Sequence, residues 1–328
     1  MHRVYLQVDL PALTASAGNV EWVDNVGNVL IQDVNIEIGG QQIDKHYGIF
    51  MHIWNQLTIN AEKEAGFDIM TGNTSTLTTG DDTQPATTLY VPFRFWFCEN
   101  AGLALPLIAL QYHDVRFNLT FRAASELIIG SYSGTPALAN ASLWVDYIYL
   151  DTDERRQFAQ VQHEYLIEQL QFTGEESYAS STTNLNVKIN FNHPVKELIW
   201  VFQSDANGSS TNKAWTDFSA SGSHILSTAK LQLNGQDRFA ARKAEYFNYV
   251  QPYQHHTNIP QVGVYGYSFA LSPEQHQPSG SVNMSRIDNA TFNFVLASGA
   301  AVGKVRVYAR NNNVLRIMAG MGGLSFAN

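Results

Sequence analysis

The sequence of 328 residues contains one cysteine and little charge. Because a disulfide needs two thiols, Cys98 cannot form one within the chain, and a cysteine-rich zinc site is excluded as well. Only 15% of the residues are charged, compared with about 25% in an average soluble protein. This composition excludes a disordered tail, a coiled coil and an ordinary helical protein with a charged surface. It suits a protein that packs against copies of itself.

Long apolar runs and an excess of positive charge are also missing. No stretch approaches the roughly 18 apolar residues needed to span a bilayer, and the N-terminal MHRVYLQVDLP lacks the features of a secretory signal. The chain has 20 Lys and Arg against 29 Asp and Glu, a net charge of −9. This balance argues against binding nucleic acid through its phosphates. The lack of disulfides fits a reducing compartment.

Aromatic residues are abundant, at 12% of the chain, and they fall in segments where apolar and polar residues alternate. Examples are VYLQVDL at 4–10, VRFNLTF at 115–121 and LNVKINF at 185–191. Alternation with a period of two residues predicts β-strands with one buried face. The sequence therefore predicts an all-β protein.

Helices are predicted to be few and short. The candidates cover residues 44–57, 154–158 and 240–249. Two segments rich in Thr, Ser, Gly and Asn, 72–88 and 204–223, predict long surface loops.

An internal repeat is the most informative feature of the sequence. IEIGGQ, ending at residue 41, recurs as LQLNGQ, ending at residue 236. RVYLQV (3–8) resembles ELIWVF (197–202), and VRFNLTF (115–121) resembles NATFNFV (289–295). Two copies of one β-domain in tandem are therefore predicted.

The repeat also predicts where the domains lie. We expect a first domain at 1–150, a linker with a short helix at 151–183 and a second domain at 184–328. The second copy has the strand 185–191 ahead of the strand 197–202, whereas the first copy starts with the equivalent of the later strand. We therefore expect the first domain to lack its opening strand, and the sequence to be short of some tens of residues at its N-terminus.

Gly39 and Gly40 predict a turn between two elements rather than a phosphate-binding loop. They lack the flanking pattern of glycines and Lys-Ser/Thr that cradles a phosphate. The second copy keeps one of the two glycines, as expected of a turn that needs positive φ.

Several long blocks of sequence resemble the major capsid proteins of nucleocytoplasmic large DNA viruses, of the iridovirus and phycodnavirus type. These blocks are IGGQQIDKHYGIFMHIWNQLT (38–58), PFRFWFCENAGLALPLIALQYHDVRFNLTF (92–121), FAQVQHEYLIEQLQFTGEE (158–176), LNGQDRFAARKAEYFNYVQPYQHHTNIP (233–260), FALSPEQHQPSGSVNMSRIDNAT (269–291) and RVYARNNNVLRIMAGMGGLSFAN (306–328). The resemblance implies a double jelly roll, two tandem eight-stranded β-sandwiches. It also implies homotrimers that form pseudo-hexagonal capsomers and tile an icosahedral shell.

The same resemblance implies the partners and the location. The partners would be the chain itself, neighbouring capsomers, and minor capsid and penton proteins, with an internal membrane nearby that the chain does not span. No nucleic acid contact, cofactor, bound metal or enzymatic activity is expected. The protein would belong to the virion after assembly in the host cytoplasm.

Candidate assembly contacts are aromatic residues on the predicted helices that follow each glycine turn. They are Tyr47, Trp54, Tyr246, Phe247 and Tyr253. Asn73 and Asn207 lie in Asn-x-Ser sequences within the two long loops and are candidates for glycosylation.

A metal site is weighed at the histidines His255, His256 and His276. Adjacent histidines on an extended chain point to opposite faces, and no acidic residue stands at ligand spacing, so loop or interface histidines are favoured. The acidic cluster DTDERR at 151–156 is interpreted as a helix cap with local ion pairs rather than a cation site.

Catalytic pairs are weighed in the same way. Glu175 and Glu176 are neighbours and do not flank a bond at the separation of roughly 5–9 Å that glycosidases use. Cys98 with His113 could form a nucleophilic pair, but Cys98 lies in an aromatic-rich segment, which favours an inert buried thiol.

The alternative function is a tandem β-sandwich that binds carbohydrate or hydrolyses it. It rests on Trp215 and Phe218, two aromatic residues in a polar loop that are expected to be exposed. It predicts an aromatic-lined groove, with paired carboxylates if the protein is an enzyme. The near-equal repeat, the low charge and the resemblance favour the capsid protein.

Overall fold

A computed structural model describes residues 1–209 and 211–327. The chain divides into two compact units. Unit 1 comprises Met1–His52, Glu64–Gln169 and Asn313–Ala327, and unit 2 comprises Ile53–Lys63 and Leu170–Asn312. The predicted domain ranges remain a prediction. The two units differ from them in three places: residues 53–63 belong to unit 2, residues 313–327 belong to unit 1, and the predicted linker 151–183 is divided between the units after Gln169.

Strands dominate both units. The strands are β1 (Val4–Leu10), β2 (Leu13–Trp22), β3 (Ile31–Ile38), β4 (Gln41–Tyr47), β5 (Thr83–Gln84), β6 (Thr87–Pro92), β7 (Val115–Phe121), β8 (Ile128–Tyr132), β9 (Asn140–Val145), β10 (His163–Tyr178), β11 (Asn184–Ile189), β12 (Pro194–Ser204), β13 (Leu226–Leu233), β14 (Gln236–Asp237), β15 (Arg242–Lys243), β16 (Val264–Ser268), β17 (Val282–Asn283), β18 (Ala290–Leu296), β19 (Gly303–Met318) and β20 (Met321–Leu324).

The helices are short and connect the strands. They are α1 (Val26–Leu30), α2 (Gly48–Thr58), α3 (Ala61–Thr71), α4 (Ser75–Thr78), α5 (Trp96–Glu99), α6 (Ala124–Leu127), α7 (Thr152–Gln160) and α8 (Gln251–His255). A π-helical turn, Tyr246–Val250, runs directly into α8. Short 3₁₀ turns cover Ala101–Leu103, Leu107–Ala109 and Met284–Arg286.

Unit 2 contains two antiparallel sheets with the strand order of a jelly roll. The sheets are β10-β19-β12-β16 and β11-β18-β13-β14, with β15 also pairing with β13. The strands of this sandwich can be numbered 1 to 8 along the chain, in the order β10, β11, β12, β13, β14 with β15, β16, β18 and β19. In this numbering the strand orders of the two sheets are 1-8-3-6 and 2-7-4-5. This order arises when a long hairpin folds over on itself, and it places two Greek keys in one sandwich.

The core of unit 2 lies between these sheets and is mainly aromatic. Alternate residues of β18 are buried, as the period-two pattern predicts. Trp200 from β12 packs against Phe292 of β18 at 4.8 Å between ring centres and against Phe247 at 5.2 Å. Such aromatic contacts stabilise a sandwich beyond the burial of area alone.

Unit 1 repeats part of the same arrangement. Its sheets β6-β1-β9 and β4-β3-β7 correspond to strands 6-3-8 and 5-4-7 of unit 2, and a third small sheet, β5-β2-β8, is added. The predicted repeat is therefore confirmed: β1, β3 and β7 occupy the places of β12, β13 and β18. In the described residues, no strand lies beside β9 or β7 where β10 and β11 lie in unit 2.

Some predicted elements have different boundaries. The predicted helix 44–57 begins only at Gly48, because the residues before it pair with β3 as the strand β4. The predicted helix 240–249 is the strand β15 followed by the π-helical turn and α8. The segment predicted as a linker contains β10, a sixteen-residue strand that pairs with β19.

The glycine turn takes a left-handed conformation in both units. Gly39 and Gly40 have φ of 59° and 81°, and their counterparts Asn234 and Gly235 have φ of 50° and 81°. Asparagine tolerates this conformation better than other non-glycine residues do. The prediction of a turn with positive φ is confirmed.

Candidate assembly surfaces

The five predicted contact residues occupy different environments. Tyr253, on α8, is 78% exposed, and the rings of Tyr47 and Tyr246 are partly exposed. Trp54 and Phe247 are buried, with 4% and 0% of their surface exposed. These two residues present no surface to another subunit, because their rings pack inside unit 2.

Tyr47 and Tyr246 are each held by a cation above the ring. The Lys45 ammonium lies 5.3 Å from the ring centre of Tyr47, which is on β4 and not on the predicted helix. The Arg242 guanidinium lies 5.3 Å from the ring of Tyr246, whose hydroxyl also accepts a hydrogen bond from Gln251. Cation–π contacts of this kind fix ring orientation at a partly exposed site.

Trp54 belongs to a cluster of buried charges. The guanidinium of Arg310 stacks over its ring at 3.7 Å, and the ring of His256 meets it edge-on at 6.0 Å. Arg310 Nη1 donates to Glu197 Oε1 at 2.9 Å, and His256 Nε2 lies 3.0 Å from Glu197 Oε2. A buried carboxylate of this kind is stable only because it has two cationic partners.

The pKa values of the cluster reflect these contacts. Burial alone would raise the pKa of Glu197, but the charges of His256 and Arg310 outweigh it and lower the pKa to about 2. Burial alone would lower the pKa of His256, but Glu197 and Glu274 raise it to about 9. His256 is therefore a charged structural residue at neutral pH.

Unit 2 exposes several apolar residues on α8, on the π-helical turn before it and in the two loops that contain Ile259 and Leu271. Leu271 is 75% exposed, and its carbonyl contacts His255 Nδ1 at 2.9 Å, which joins its loop to α8. We call this the unit 2 patch; its exposed apolar residues are Tyr249, Val250, Tyr253, Ile259 and Leu271. Apolar side chains grouped on a surface in this way mark interaction sites more often than scattered ones do.

Unit 1 carries a second apolar surface, beside β9. A cleft of about 590 Å³ is lined by apolar residues from the 101–108 and 147–150 segments and by Phe158 and Tyr165. Tyr149, one of these lining residues, is 90% exposed. We call this the unit 1 strip; its exposed residues are Leu143, Trp144, Tyr147, Ile148 and Tyr149.

The sequence does not predict the unit 1 strip. The segment SLWVDYIYL reads as a strand with large apolar residues on both faces. Large apolar residues on both faces predict a buried strand. The equivalent strand of unit 2, β19, is such a strand, with buried residues on both faces and a partner along each edge.

The two candidate glycosylation residues differ in how free their amide nitrogens are. Asn73 is exposed, and its Nδ2 donates to Asp68 Oδ1 at 3.1 Å at the surface. Asn207 Nδ2 donates to the Asp217 carbonyl at 3.1 Å in a part-buried site. Because the Asn73 amide bonds at the surface and the Asn207 amide bonds in a part-buried site, a glycosyltransferase reaches Asn73 more easily, and Asn73 is the stronger candidate of the two.

The weighed metal and cation sites have structural explanations. His255 and His256 contact the Leu271 carbonyl and two carboxylates respectively. Among residues 1–209 and 211–327, no group of three or more His, Cys, Asp or Glu is arranged to hold a metal. The 151–156 cluster starts α7, where Glu154 accepts the Asp151 N–H at 3.1 Å, as predicted for a helix cap.

The weighed catalytic pairs are not assembled. Glu175 lies 2.6 Å from Arg306 and 2.9 Å from Lys304, and these cations lower its pKa although burial opposes the shift. A glycosidase acid needs the opposite shift. Burial raises the pKa of Cys98 to about 12, while His113 contacts the Gly322 backbone instead.

The aromatic loop of the carbohydrate hypothesis does not form a stacking platform. Phe218 is fully buried, so the prediction that it is exposed is wrong. Trp215 is partly exposed and lines a small polar pocket with Lys304 and Arg306. One partly exposed ring beside an ion-paired cluster offers no aromatic-lined groove.

Comparison with known proteins decides between these interpretations. The family model described as "Large eukaryotic DNA virus major capsid protein" matches residues 154–323, and "Major capsid protein N-terminus" matches residues 1–151. The chain belongs to the major capsid proteins of large eukaryotic DNA viruses. The resemblance found in the sequence blocks is thereby confirmed.

Individual relatives of this capsid protein family align over the whole chain. The major capsid protein of Pyramimonas orientalis virus is 48% identical over all of this chain and 83% of its own length. That of Phaeocystis pouchetii virus is 42% identical over all of this chain and 87% of its own length.

The fold agrees with that of the capsid proteins. The chain superposes on a subunit from the quasi-atomic capsid of the virus PBCV-1 with a TM-score of 0.86 and 38% identity, covering all of this chain and 90% of the other. The predicted double jelly roll is confirmed. Among the described residues, no helix is both long and apolar enough to span a membrane.

Proposed function

We propose that the chain is the subunit of a viral shell and that it associates into homotrimers. These trimers are pseudo-hexagonal capsomers that tile an icosahedral capsid. The observation that carries the proposal is the double jelly roll of the capsid protein family, whose models match residues 1–151 and 154–323. The low charge of the chain agrees with it, because each charge placed in a subunit interface must be desolvated.

The two apolar surfaces are the proposed contacts between copies. Stable assemblies bury large areas whose centres are apolar and aromatic. The unit 1 strip and the unit 2 patch each expose aromatic side chains of this kind. Of the predicted residues, Tyr253 is the proposed direct contact, with Tyr47 and Tyr246 beside it, whereas Trp54 and Phe247 act by supporting unit 2 from inside.

The remaining roles follow from the shell. The chain acts as a structural protein without enzymatic activity or cofactor, and its further partners are neighbouring capsomers, minor capsid proteins and penton proteins. An internal membrane lies near the shell. Assembly takes place in the host cytoplasm, and Asn73 is the proposed glycan attachment site.

Replacement of exposed apolar residues tests the proposed contacts. The double variant Tyr253→Ser with Leu271→Ser removes the two most exposed side chains of the unit 2 patch without changing a buried residue. Analytical ultracentrifugation should show the wild-type chain as a trimer and the variant mainly as a monomer. An effect of at least about tenfold in the association constant is expected, since central interface aromatics contribute about 2 kcal/mol or more each.

A matched control separates this effect from a general loss of apolar surface. Ile69, on α3, is 67% exposed and lies outside both surfaces. Ile69→Ser should leave the trimer intact. A variant of the unit 2 patch that trimerises like the wild type would remove that patch from the interface, and the same design with Tyr147→Ser and Tyr149→Ser tests the unit 1 strip.

A further inference from the structure

A polar loop in unit 2 is held in place mainly by hydrogen bonds and ion pairs, several of them to charged side chains. The loop comprises residues 271–280, LSPEQHQPSG, and Pro273 is its one buried side chain. Because apolar burial contributes little here, the position of the loop depends on its hydrogen bonds and ion pairs.

Three cationic side chains reach this loop, two from the sheet and one from His256, the residue that follows α8. His256 Nδ1 lies 3.0 Å from Glu274 Oε1, Arg310 Nη1 donates to the Pro273 carbonyl at 3.4 Å, and Lys196 Nζ donates to the Gln275 carbonyl at 3.0 Å. The Thr257 hydroxyl and N–H also donate to the Glu274 carboxylate, at 2.5 and 2.8 Å.

A β-bulge brings two of these contacts together. The pairing of β12 with β19 shifts between Val195 and Glu197, so Lys196 is the extra residue. In a regular strand Lys196 and Glu197 would point to opposite faces. The bulge allows both residues to stabilise the same loop. Lys196 contacts the loop directly, and Glu197 acts through His256.

The geometry around His256 requires a doubly protonated ring. Both ring nitrogens lie 3.0 Å from carboxylate oxygens, one of Glu197 and one of Glu274. An ionised carboxylate only accepts hydrogen bonds, so both nitrogens must donate. When the ring loses a proton, one nitrogen presents a lone pair to a carboxylate, and one of the two contacts must open.

Of these two contacts, the one between His256 and Glu274 is the one that opens. Glu197 is 1% exposed and has a second cation, Arg310, which itself stacks on Trp54. Glu274 is 22% exposed and belongs to the polar loop. Water can therefore replace the lost partner of Glu274 but not that of Glu197.

We propose that the Glu197–His256–Glu274–Arg310 cluster is an alkaline-release clamp: protonated His256 holds the 271–280 loop against unit 2, and loss of this proton frees the loop. The charged groups facing the His256 ring are Glu197 from β12 and Glu274 from the loop, with Arg310 of β19 behind Glu197. The clamp lies within a single chain and does not depend on assembly. Its test is therefore independent of the proposed capsid function.

Hydrogen exchange measured by mass spectrometry between pH 6 and pH 10 tests the clamp. After correction for the intrinsic rise of exchange with pH, opening of the 271–280 loop should increase on the order of tenfold or more, with a midpoint near the His256 pKa of about 9. Amides of β12 and β16 should keep their protection over the same range. A loop whose corrected exchange does not change with pH would overturn the proposal.

Variants assign the response to the cluster. Glu274→Gln removes one of the two carboxylates that hold the proton, so the loop should open at lower pH. His256→Gln should leave the loop open at every pH. His224→Gln is the matched control, because His224 is a partly buried histidine of unit 2 that contacts Tyr265 and lies outside the cluster. If the His256→Gln variant does not fold, the Glu274→Gln variant is sufficient for the test. A pH response of the Glu274→Gln variant like that of the wild type would contradict the clamp.

Discussion

Units 1 and 2 use one strand order but bury equivalent strands to different extents. In unit 2, β18 lies between β13 and β11, and alternate side chains along its whole length are buried. In unit 1, β3 is the only strand of residues 1–209 and 211–327 that pairs with its counterpart β7, and none of the β7 side chains is fully buried. The two strands have similar sequence patterns. Burial is therefore decided by the neighbouring strand and not by the pattern.

The units also differ in the charge of their buried histidines. Unit 2 keeps His256 charged between two carboxylates. Unit 1 buries His52 beside the Asn25 amide, 2.9 Å away, and burial lowers the pKa of His52 to about 4. One histidine is held as a cation and the other as a neutral ring, so the units should respond to pH in opposite directions.

The largest expected effect comes from two phenylalanines at equivalent places. Phe292 pairs with Leu231, and Phe117 pairs with Ile36, the residue equivalent to Leu231 in the repeat. Phe292→Ala should reduce the free energy of unfolding of unit 2 by about 3–5 kcal/mol, because the residue is fully buried against Trp200. Phe117→Ala should cost unit 1 only about 1–2 kcal/mol, since its ring is already partly exposed.

Urea unfolding, followed by hydrogen exchange in each unit, measures both changes. If the two variants lost equal free energies of unfolding, β7 would be as well packed as β18. The contrast between the two units would then be wrong.

An intermediate effect is expected from pH. The pKa of His52 is lower in the folded chain than its ordinary value near 6.5, so the unfolded chain takes up the proton first. The stability that His52 gives unit 1 is complete above pH 6.5 and is lost as the pH falls towards 4. For His256, whose pKa is raised, the contribution is complete below pH 6.5 and is lost as the pH rises through about 9.

Each of these contributions is at most about 3 kcal/mol, from the size of the shifts. Hydrogen exchange at pH 5, 7 and 9 should show unit 1 opening more at pH 5 and unit 2 opening more at pH 9. His52→Gln should abolish the response at pH 5 while leaving that at pH 9. Two units that loosen together at the same pH would refute the assignment.

The smallest effect is expected at the glycine turns. A Cβ at Gly39 would overlap the His113 ring, whereas a Cβ at Gly40 meets no atom within 4 Å. Gly40→Ala should cost about 1 kcal/mol from the left-handed backbone alone, and Gly39→Ala about 2 kcal/mol or more. Asn234→Gly in unit 2 should change stability by less than about 1 kcal/mol, although it loses the bond from the Asn289 N–H.

Thermal unfolding of the three variants ranks these turns. If Gly39→Ala were no worse than Gly40→Ala, the close approach of His113 to Gly39 would not affect stability.

Most of the fold could be predicted from the sequence because strands with one buried face have a clear signature. The repeat located β1, β3, β7 and their counterparts, and the family blocks gave the double jelly roll. The start of α2 could not be predicted, because Asp44 to Tyr47 form a strand only through pairing with β3. The length of β10 was also missed, since its pairing with β19 joins segments more than a hundred residues apart.

The assembly surfaces were only partly predictable. Spacing after the glycine turn drew attention to Tyr253, which is exposed, but equally to Trp54, which is buried under Arg310. Sequence position cannot tell an exposed aromatic from a buried one when both follow the same turn. The charge on His256 was not visible either, because Glu197 and Glu274 are distant from it along the chain.

The most direct test of the central claim, that this chain is a self-associating shell subunit, is its mass in solution. Light scattering of the purified chain across a range of concentrations should give the mass of three chains. A single-chain mass that persists at the highest concentration would contradict it.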